Sequence, residues 1–242
     1  NVWFRDEHGK IHQNLQGPLV NLDDYNVDFS LFEESRFYRP MGGKIFKTIP
    51  VETYRGCPYT CTYCNSPMQS KNTATNNLGT FARRKSISKL RSDLLNLKDY
   101  FRPEFIYFID DSFLARPKRE IDEFCDMYNE VRLPFWFNTR PENCTNDNLR
   151  KVKEAGCYRI SFGIECGNEE FRKKILNRRV SNKELFERFK VIAESGISFS
   201  INLIIGFPGE TRNLIFDTIE LVRSIYGYDT LTVSVFTPYN GT

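Results

Sequence analysis

From Ile49 onward, short apolar runs alternate with longer segments in which apolar residues recur every three or four positions. Six runs read as strands: 49–54 (IPVETY), 105–109 (FIYFI), 134–138 (PFWFN), 158–164 (YRISFGI), 199–205 (FSINLII) and 230–236 (TLTVSVF). Each is brief, rich in β-branched and aromatic residues, and set off by turn formers, which fits a strand better than a helix. Five helical segments lie between them, over 86–100, 118–131, 146–155, 182–195 and 212–225. In the first, Ile87, Leu90, Leu94, Leu95 and Leu97 fall close to one face. Gly156 and Gly196 follow the third and fourth, where C-terminal caps belong.

Strand then helix, repeated with short connections, predicts parallel strands joined by right-handed crossovers. Six strands fall short of a closed eight-stranded barrel. The expected fold class is therefore α/β: a partial (β/α)6 TIM-like barrel of parallel strands with an N-terminal irregular lead-in. Residues 1–14 form two alternating runs about a turn, the pattern of a hairpin, and 15–48 carry Pro18, Pro40 and Gly42–Gly43 without a regular period. Two parts are expected: residues 1–48 as a lead-in or connector to a missing upstream domain, and 49–242 as the core. The chain opens on Asn1 and stops soon after the last strand-like run, so it reads as a piece of a longer protein.

Composition narrows the picture little. Hydrophobic residues at 40% and charged residues at 27% are globular values, not those of a disordered chain. A net charge of +3, spread along the chain, makes no case for nucleic acid and leaves an RNA substrate open. The run RRK at 83–85 reads as a solvated approach to a helix rather than a phosphate cradle. No apolar run approaches the ~20 residues of a membrane-spanning helix, and no signal peptide opens the chain. Seven cysteines without a secreted, disulfide-dense composition point to a reducing cytoplasm.

Active sites of parallel barrels gather at the C-terminal ends of the strands. Cys57, Cys61 and Cys64, in RGCPYTCTYCNSP (55–67), follow the first strand there. Thiolates so spaced suit iron–sulfur or zinc ligation. A structural zinc site takes four ligands, whereas the only histidines, His8 and His12, lie in the lead-in hairpin and are not expected to ligate. Three cysteines without a local fourth suit a [4Fe–4S] cluster with one iron open to a small molecule.

The C-x3-C-x2-C spacing, with Tyr63 before the last cysteine, resembles the signature of radical S-adenosylmethionine (SAM) enzymes. The resemblance implies that the three cysteines hold the cluster. SAM then chelates the open iron and is reductively cleaved to a 5′-deoxyadenosyl radical, the cofactors carrying the chemistry and the protein positioning them. GIECG (163–167) is similar to the GIESG motif of the branch shared by methylthiotransferases and cobalamin-dependent members, which implies a SAM-holding role for Glu165. Cys166 stands where serine is more usual, and a structural salt bridge is the plainer alternative for Glu165. GFPGET (206–211) matches the same branch and implies backbone close to SAM at Gly206, Pro208 and Gly209, with Thr211 capping the next helix. Asn202, earlier on that strand, is a candidate to face SAM or substrate. ILNRRVSNKEL (175–185) resembles the segment whose basic residue meets the SAM carboxylate. Arg178 is the candidate, with Arg179 as its alternative and a solvated helix-edge arginine as the structural reading. Asp110 and Asp111 end the second strand and face opposite ways, so one is expected to bond cofactor or substrate and the other to cap the following loop. Arg140 ends the third strand in a similar position. Cys125, Cys144, Cys157 and Cys166 are scattered and read as core or surface residues, and no catalytic side chain is singled out.

GPLVNLDDYNVDFSLF (17–32) is similar to the connector between an upstream cobalamin-binding domain and the radical SAM core, although Asn26 and Val27 replace the usual prolines. DEHGKI does not complete the cobalamin-ligating D-x-H-x-x-G pattern, because Ile11 occupies the glycine position. The resemblance implies an enzyme core of a cobalamin-dependent methyltransferase or a ring-forming or rearranging enzyme. A small-molecule substrate and a flavodoxin- or ferredoxin-type electron donor go with it. Three alternatives stay open: a methylthiotransferase acting on tRNA or protein, a non-catalytic iron–sulfur or zinc module, and a degenerate radical SAM scaffold.

Overall fold

The computed structural model describes residues 3–242. Within the predicted N-terminal hairpin, β1 (Trp3–Arg5) pairs antiparallel with β2 (Ile11–Gln13), while Asn1 and Val2 lie outside the described residues. His12 bonds Asp6 at 2.7 Å and stacks on Phe4, so its ring serves the hairpin.

The chain then crosses two 3-10 turns (Phe29–Leu31 and Glu34–Phe37) and forms β3 (Tyr38–Met41), β4 (Lys44–Val51) and β5 (Tyr54–Arg55). After α1 (Ser66–Thr75) and β6 (Arg83–Arg84) come α2 (Ile87–Tyr100), β7 (Phe105–Phe108), α3 (Lys118–Tyr128), β8 (Phe135–Thr139), α4 (Asn146–Glu154) and β9 (Cys157–Glu165). The series ends with α5 (Glu169–Lys174), α6 (Asn182–Glu194), β10 (Ser198–Ile205), α7 (Arg212–Arg223) and β11 (Thr230–Val235).

Six strands form the expected parallel sheet, ordered β11-β10-β9-β8-β7-β4, and β3 adds an antiparallel edge beside β4. The mostly parallel sheet is curled into a half-barrel, a partial TIM-like barrel. Alternation assigns the two faces. On β8, Phe135 and Phe137 are buried in the core with Ile121, Phe124 and Tyr128 of α3. Trp136 and Asn138, the alternate residues, line the concave face with Tyr107, Arg159, Ser161, Ser200 and Asn202. No helix among the described residues is long and apolar enough to cross a membrane.

The structure moves several boundaries. The strand expected over 49–54 runs over Lys44–Val51, so a division at residue 49 falls inside β4. The chain leaves the sheet after Val51 because the amides of Thr53 and Tyr54 turn to the Asp110 carboxylate. Within the lead-in, Leu22, Phe29 and Phe37 are buried, and Asp23 accepts from the Ser86 amide beside the start of α2. The RRK run is not solvated: Arg83 and Arg84 pair with β5, and buried Lys85 meets Asp93 at 2.7 Å. α1 went unrecognised because SPMQSKNTAT has no apolar stripe, and α5 because it is six residues long.

Candidate active site

The loop from Gly56 to Asn65 leaves β5 and enters α1. Gly56 has φ +101°, and a Cβ there would lie 2.8 Å from the Phe81 carbonyl oxygen, so the loop packs where only glycine fits. Cys61 is buried, and Cys57 and Cys64 are partly so. The Cys64 amide donates to the Cys61 carbonyl at 3.3 Å, and the Ser66 amide donates to Cys64 Sγ at 3.4 Å. This sets one sulfur at the positive N-terminal end of α1, which favours its thiolate. Burial, together with the charges of Asp111 and the other two thiols, pushes the Cys57 thiol up to about 11. Burial also raises Cys64, with Cys61 and Asp111 acting in the same direction. Metal binding must therefore displace protons from these thiols. Among the described residues, no three histidine, cysteine or carboxylate side chains are grouped to hold a single metal ion. Three separate thiol ligands on one loop instead suit a multi-iron cluster.

Two tyrosines of the loop reach a buried charged network. The Tyr59 hydroxyl donates to Asn143 Oδ1 at 2.5 Å, and the Arg140 guanidinium lies 3.8 Å from the Tyr59 ring centroid. Arg140 meets Glu142 at 2.7 Å. Arg178, only 2% exposed, lies 3.8 Å from Glu142 and 3.2 Å from Glu165, and donates to the Tyr63 hydroxyl at 3.3 Å and the Gly163 carbonyl at 2.8 Å. Burial opposes the Arg178 charge, but Tyr63, Glu165 and Glu142 hold its pKa above the usual value. Burial raises Glu165, against the pull of Arg178 and of the Tyr63 hydroxyl. Tyr63 is likewise raised by burial, its ring standing 5.7 Å from Phe207.

Glu165 ends β9 with φ +69°, where the β9/β10 register shifts between Asn202 and Leu203. A non-glycine residue in this region costs about 1–3 kcal/mol and clusters at functional sites. The carboxylate folds back over Gly163, where an added Cβ would lie 2.2 Å from Oε1. Glu165, Tyr63, Cys64 and Asn202 all line the concave cavity of about 900 Å³.

Other expected residues lie elsewhere. Asp110 is 1% exposed; it accepts from the Thr53 and Tyr54 amides at 2.7 and 3.0 Å and meets Arg116 at 2.5 Å. It holds the segment that follows β4 rather than capping the loop after its own strand, from which only the Arg116 side chain reaches it. Asp111 lies near the Gly56 amide beside Cys57, and desolvation raises its pKa. Gly206, Pro208 and Gly209 are not among the residues lining the cavity. The Gly206 and Phe207 amides, expected near a ligand, donate instead to Glu210 Oε2 at 2.5 and 3.3 Å. Thr211 caps α7 as expected. Arg179 is exposed, so the sequence's alternative for Arg178 lies outside the network. Sequence reasoning missed Tyr59, Glu142 and Asn143; the one available signal was Glu142, two residues past Arg140 in RPEN.

The donor set fits a cluster and a small zwitterionic cofactor. Three thiols share one loop, and Glu165, Tyr63 and Cys64 share one cavity. Arg140 Nε, Glu142 Oε2 and Arg178 Nε are buried without hydrogen-bond partners, leaving polar capacity within the adjoining network. A curled parallel sheet with a three-thiol loop at the C-terminal ends of its strands defines the class: a barrel-type enzyme core built around a metal cluster. The chain belongs to the radical SAM superfamily, whose family model matches residues 51–222. Its cofactors are the [4Fe–4S] cluster and SAM. The chain is 27% identical over 239 residues to an uncharacterized methyltransferase of Pyrococcus horikoshii, covering 98% of this chain and 49% of that protein. It is 26% identical over 248 residues to a tRNA-2-methylthio-N(6)-dimethylallyladenosine synthase of Clostridioides difficile, covering 95% and 47%. It is similar in fold to the cobalamin-dependent SAM radical enzyme OxsB, solved with aqua-cobalamin and SAM bound, at TM-score 0.66 and 16% identity, covering 95% of this chain and 33% of that one. The chain thus spans about half the length of these curated relatives.

Proposed function

We propose that this chain is the radical-generating core of a cytoplasmic, cobalamin-dependent enzyme, a methyltransferase or a ring-forming or rearranging enzyme acting on a small molecule. The carrying observation is the convergence of Cys64, Tyr63 and Glu165 on one cavity that Asn138, Arg159, Ser161 and Asn202 also line. Cys57, Cys61 and Cys64 hold the cluster in this reading; Glu165 and Arg178 receive the charged methionyl end of SAM; Asn202 faces SAM or substrate. Bound together, cluster and SAM supply the 5′-deoxyadenosyl radical. Asp111 and Arg140 support the cysteine loop, and Gly206, Pro208 and Gly209 shape the turn beside Phe207. The lead-in is read as the connector to a cobalamin domain, supported by its motif and by the cobalamin-dependent neighbour in fold. The electron comes from a flavodoxin- or ferredoxin-type donor. Similarity to the methylthioadenosine synthase over 95% of the chain keeps a methylthiotransferase as the second reading.

The test is anaerobic loading of the full-length protein with iron and sulfide, followed by SAM, dithionite and an assay for 5′-deoxyadenosine. Product that disappears in Cys61→Ala supports the radical reading; iron loading without cleavage overturns it. Cobalamin bound by the same protein supports the first reading, whereas a second cluster bound outside Cys57, Cys61 and Cys64 favours the methylthiotransferase.

A further inference from the structure

Arg172, on α5, is completely buried, and every oxygen that it bonds is neutral. Its Nη1 donates to the Cys166 carbonyl at 2.8 Å and the Gly167 carbonyl at 3.4 Å. Its Nη2 donates to the Val180 carbonyl at 2.9 Å and to Asn182 Oδ1 at 2.7 Å. The acidic residues beside it in sequence are turned elsewhere. Glu169 accepts from the Asn182 amide at 2.7 Å, and Glu170 pairs with Lys174 at 2.8 Å. Burial lowers the Arg172 pKa, and the neighbouring Arg178 charge acts in the same direction. A charge buried without a bonded counter-ion is costly, and a neutral side chain would avoid that cost. What the guanidinium connects is therefore the feature to explain.

Cys166 and Gly167 directly follow Glu165, and Val180 and Asn182 lie just past Arg178. The fork thus joins the two ends of the segment 166–182. Glu165, before one end, has φ +69°, and Asn177, before Arg178, has φ +52°. Such conformations persist only where the surroundings over-determine them. The Arg178 amide also donates to the Arg172 carbonyl at 2.9 Å. Apolar packing alone gives this segment little hold: Cys166, Phe171, Leu176 and Phe207 form a small cluster apart from the main core, with Tyr63 packed against it. The same segment backs the cysteine loop on both sides of Cys61. The Thr62 hydroxyl donates to the Ile175 carbonyl at 2.6 Å, and the Thr62 amide to the Leu176 carbonyl at 3.3 Å. Asn177 Nδ2 donates to the Thr60 carbonyl and hydroxyl at 2.9 and 2.8 Å.

Resting on the proposed SAM site, we infer that Arg172 is a positioning residue for it. By tying Cys166 and Gly167 to Val180 and Asn182, its guanidinium fixes Glu165 and Arg178 at the spacing that receives the charged methionyl end of SAM. Arg172 does not line the cavity and acts through those two side chains. Lysine cannot take its place. An ammonium is a single point with three donors, whereas the planar fork spans four acceptors on two stretches of chain.

The experiment uses the full-length protein loaded with iron and sulfide. SAM affinity is measured by equilibrium dialysis, normalised to bound iron, in Arg172→Met, Arg172→Lys, Glu165→Gln, the Glu165→Gln/Arg172→Met double variant and Leu149→Ala. Leu149 is a core residue of α4, and its truncation lowers stability away from this segment. Arg172→Met is expected to bind SAM about tenfold more weakly and Arg172→Lys about threefold, while Leu149→Ala stays within about twofold of wild type. In the Glu165→Gln background the Arg172→Met change should cost no more than about twofold, because a group that Arg172 positions has already been disabled. Hydrogen exchange should rise over 60–64 and 166–182 in Arg172→Met and stay unchanged in the core strands. Should Arg172→Met fail to fold, Arg172→Lys, which keeps the charge, carries the same comparisons. Unchanged SAM affinity, equal weakening in Leu149→Ala, full additivity in the double variant, or no local rise in exchange would overturn the inference. Failure of the wild-type holoprotein to bind SAM would sink the proposed SAM site itself and the positioning role with it, a result told apart from the others because it precedes any substitution.

Discussion

Arg178 stands between two carboxylates, Glu165 at 3.2 Å and Glu142 at 3.8 Å, almost wholly out of water. Removing its side chain leaves Glu165 buried beside Tyr63 without its ion-pair partner. Breaking a buried pair in this way costs about 3–5 kcal/mol. Arg178→Ala is expected to lower the unfolding free energy by that amount, read as a lower urea midpoint at unchanged slope, and Arg178→Lys to recover only part of it. An ammonium cannot reproduce the planar fork that reaches Glu165, Tyr63 and the Gly163 carbonyl together. Glu165→Gln, close to isosteric, should keep the iron content and weaken SAM binding in equilibrium dialysis; unchanged affinity would return Glu165 to a structural role. The sequence showed Arg178 as a candidate but not its burial. Its partners lie 13 and 36 residues away, and a basic residue in NRR reads locally as solvated. Glu142 stayed hidden for the same reason: its meaning depends on contacts that no local pattern carries.

The cysteine loop is an element held from outside itself. Asp110, at the end of β7, gathers the Thr53 and Tyr54 amides and Arg116, and so fixes where the chain leaves β4. Asp110→Ala strands Arg116 in a buried position and frees two amides. The expected result is a loss of about 3–5 kcal/mol, with iron loading reduced even though all three cysteines remain. Unaltered iron stoichiometry and stability would mean that the loop holds itself. A second test concerns the bulged end of β9. In Gly163→Ala the new methyl group must displace the Glu165 carboxylate, because they would lie 2.2 Å apart. SAM affinity should fall at least about tenfold, in line with the loss of one charge-assisted contact, while the cluster still loads. Most elements were legible because their apolar periods and caps are local. The Asp110–Asp111 pair was half legible: strand alternation showed that the two face apart, but only the fold assigns Asp110 to the loop and Asp111 to the neighbourhood of Cys57. In GFPGET the Gly206 and Phe207 amides donate to Glu210, within the motif itself, a bond that the pattern of glycines and proline does not signal.

At the scale of the whole molecule, the half-barrel turns one face of its sheet into the apolar core and lines the concave face with a mixture of aromatic, aliphatic and polar side chains. Trp136 stacks on Tyr107 at 4.0 Å and donates to Ser161 at 2.8 Å, while Arg159 is neutralised by Asp229. The way the lead-in closes the other side was not legible in the sequence, since residues 15–48 have no period and read as a connector. In the structure the lead-in behaves as part of the core. Leu22 is fully buried, and Phe29 packs edge-on against Phe37 and Phe101 at 5.8 Å. Tyr25 donates to Glu52 and accepts from Arg55, each at 2.9 Å, tying the lead-in to the strand that precedes the cysteines. A loose connector would tolerate truncation of these side chains at no cost. A packed one should lose about 2–5 kcal/mol in Leu22→Ala and about 3–5 kcal/mol in Phe29→Ala. The two substitutions should lower the urea midpoint of the full-length protein with little change in slope, because native contacts are lost without a second unfolding unit appearing. An upstream domain joined through this segment would then be anchored on the core rather than swinging from it. Midpoints unchanged by both substitutions would restore the picture of a free linker.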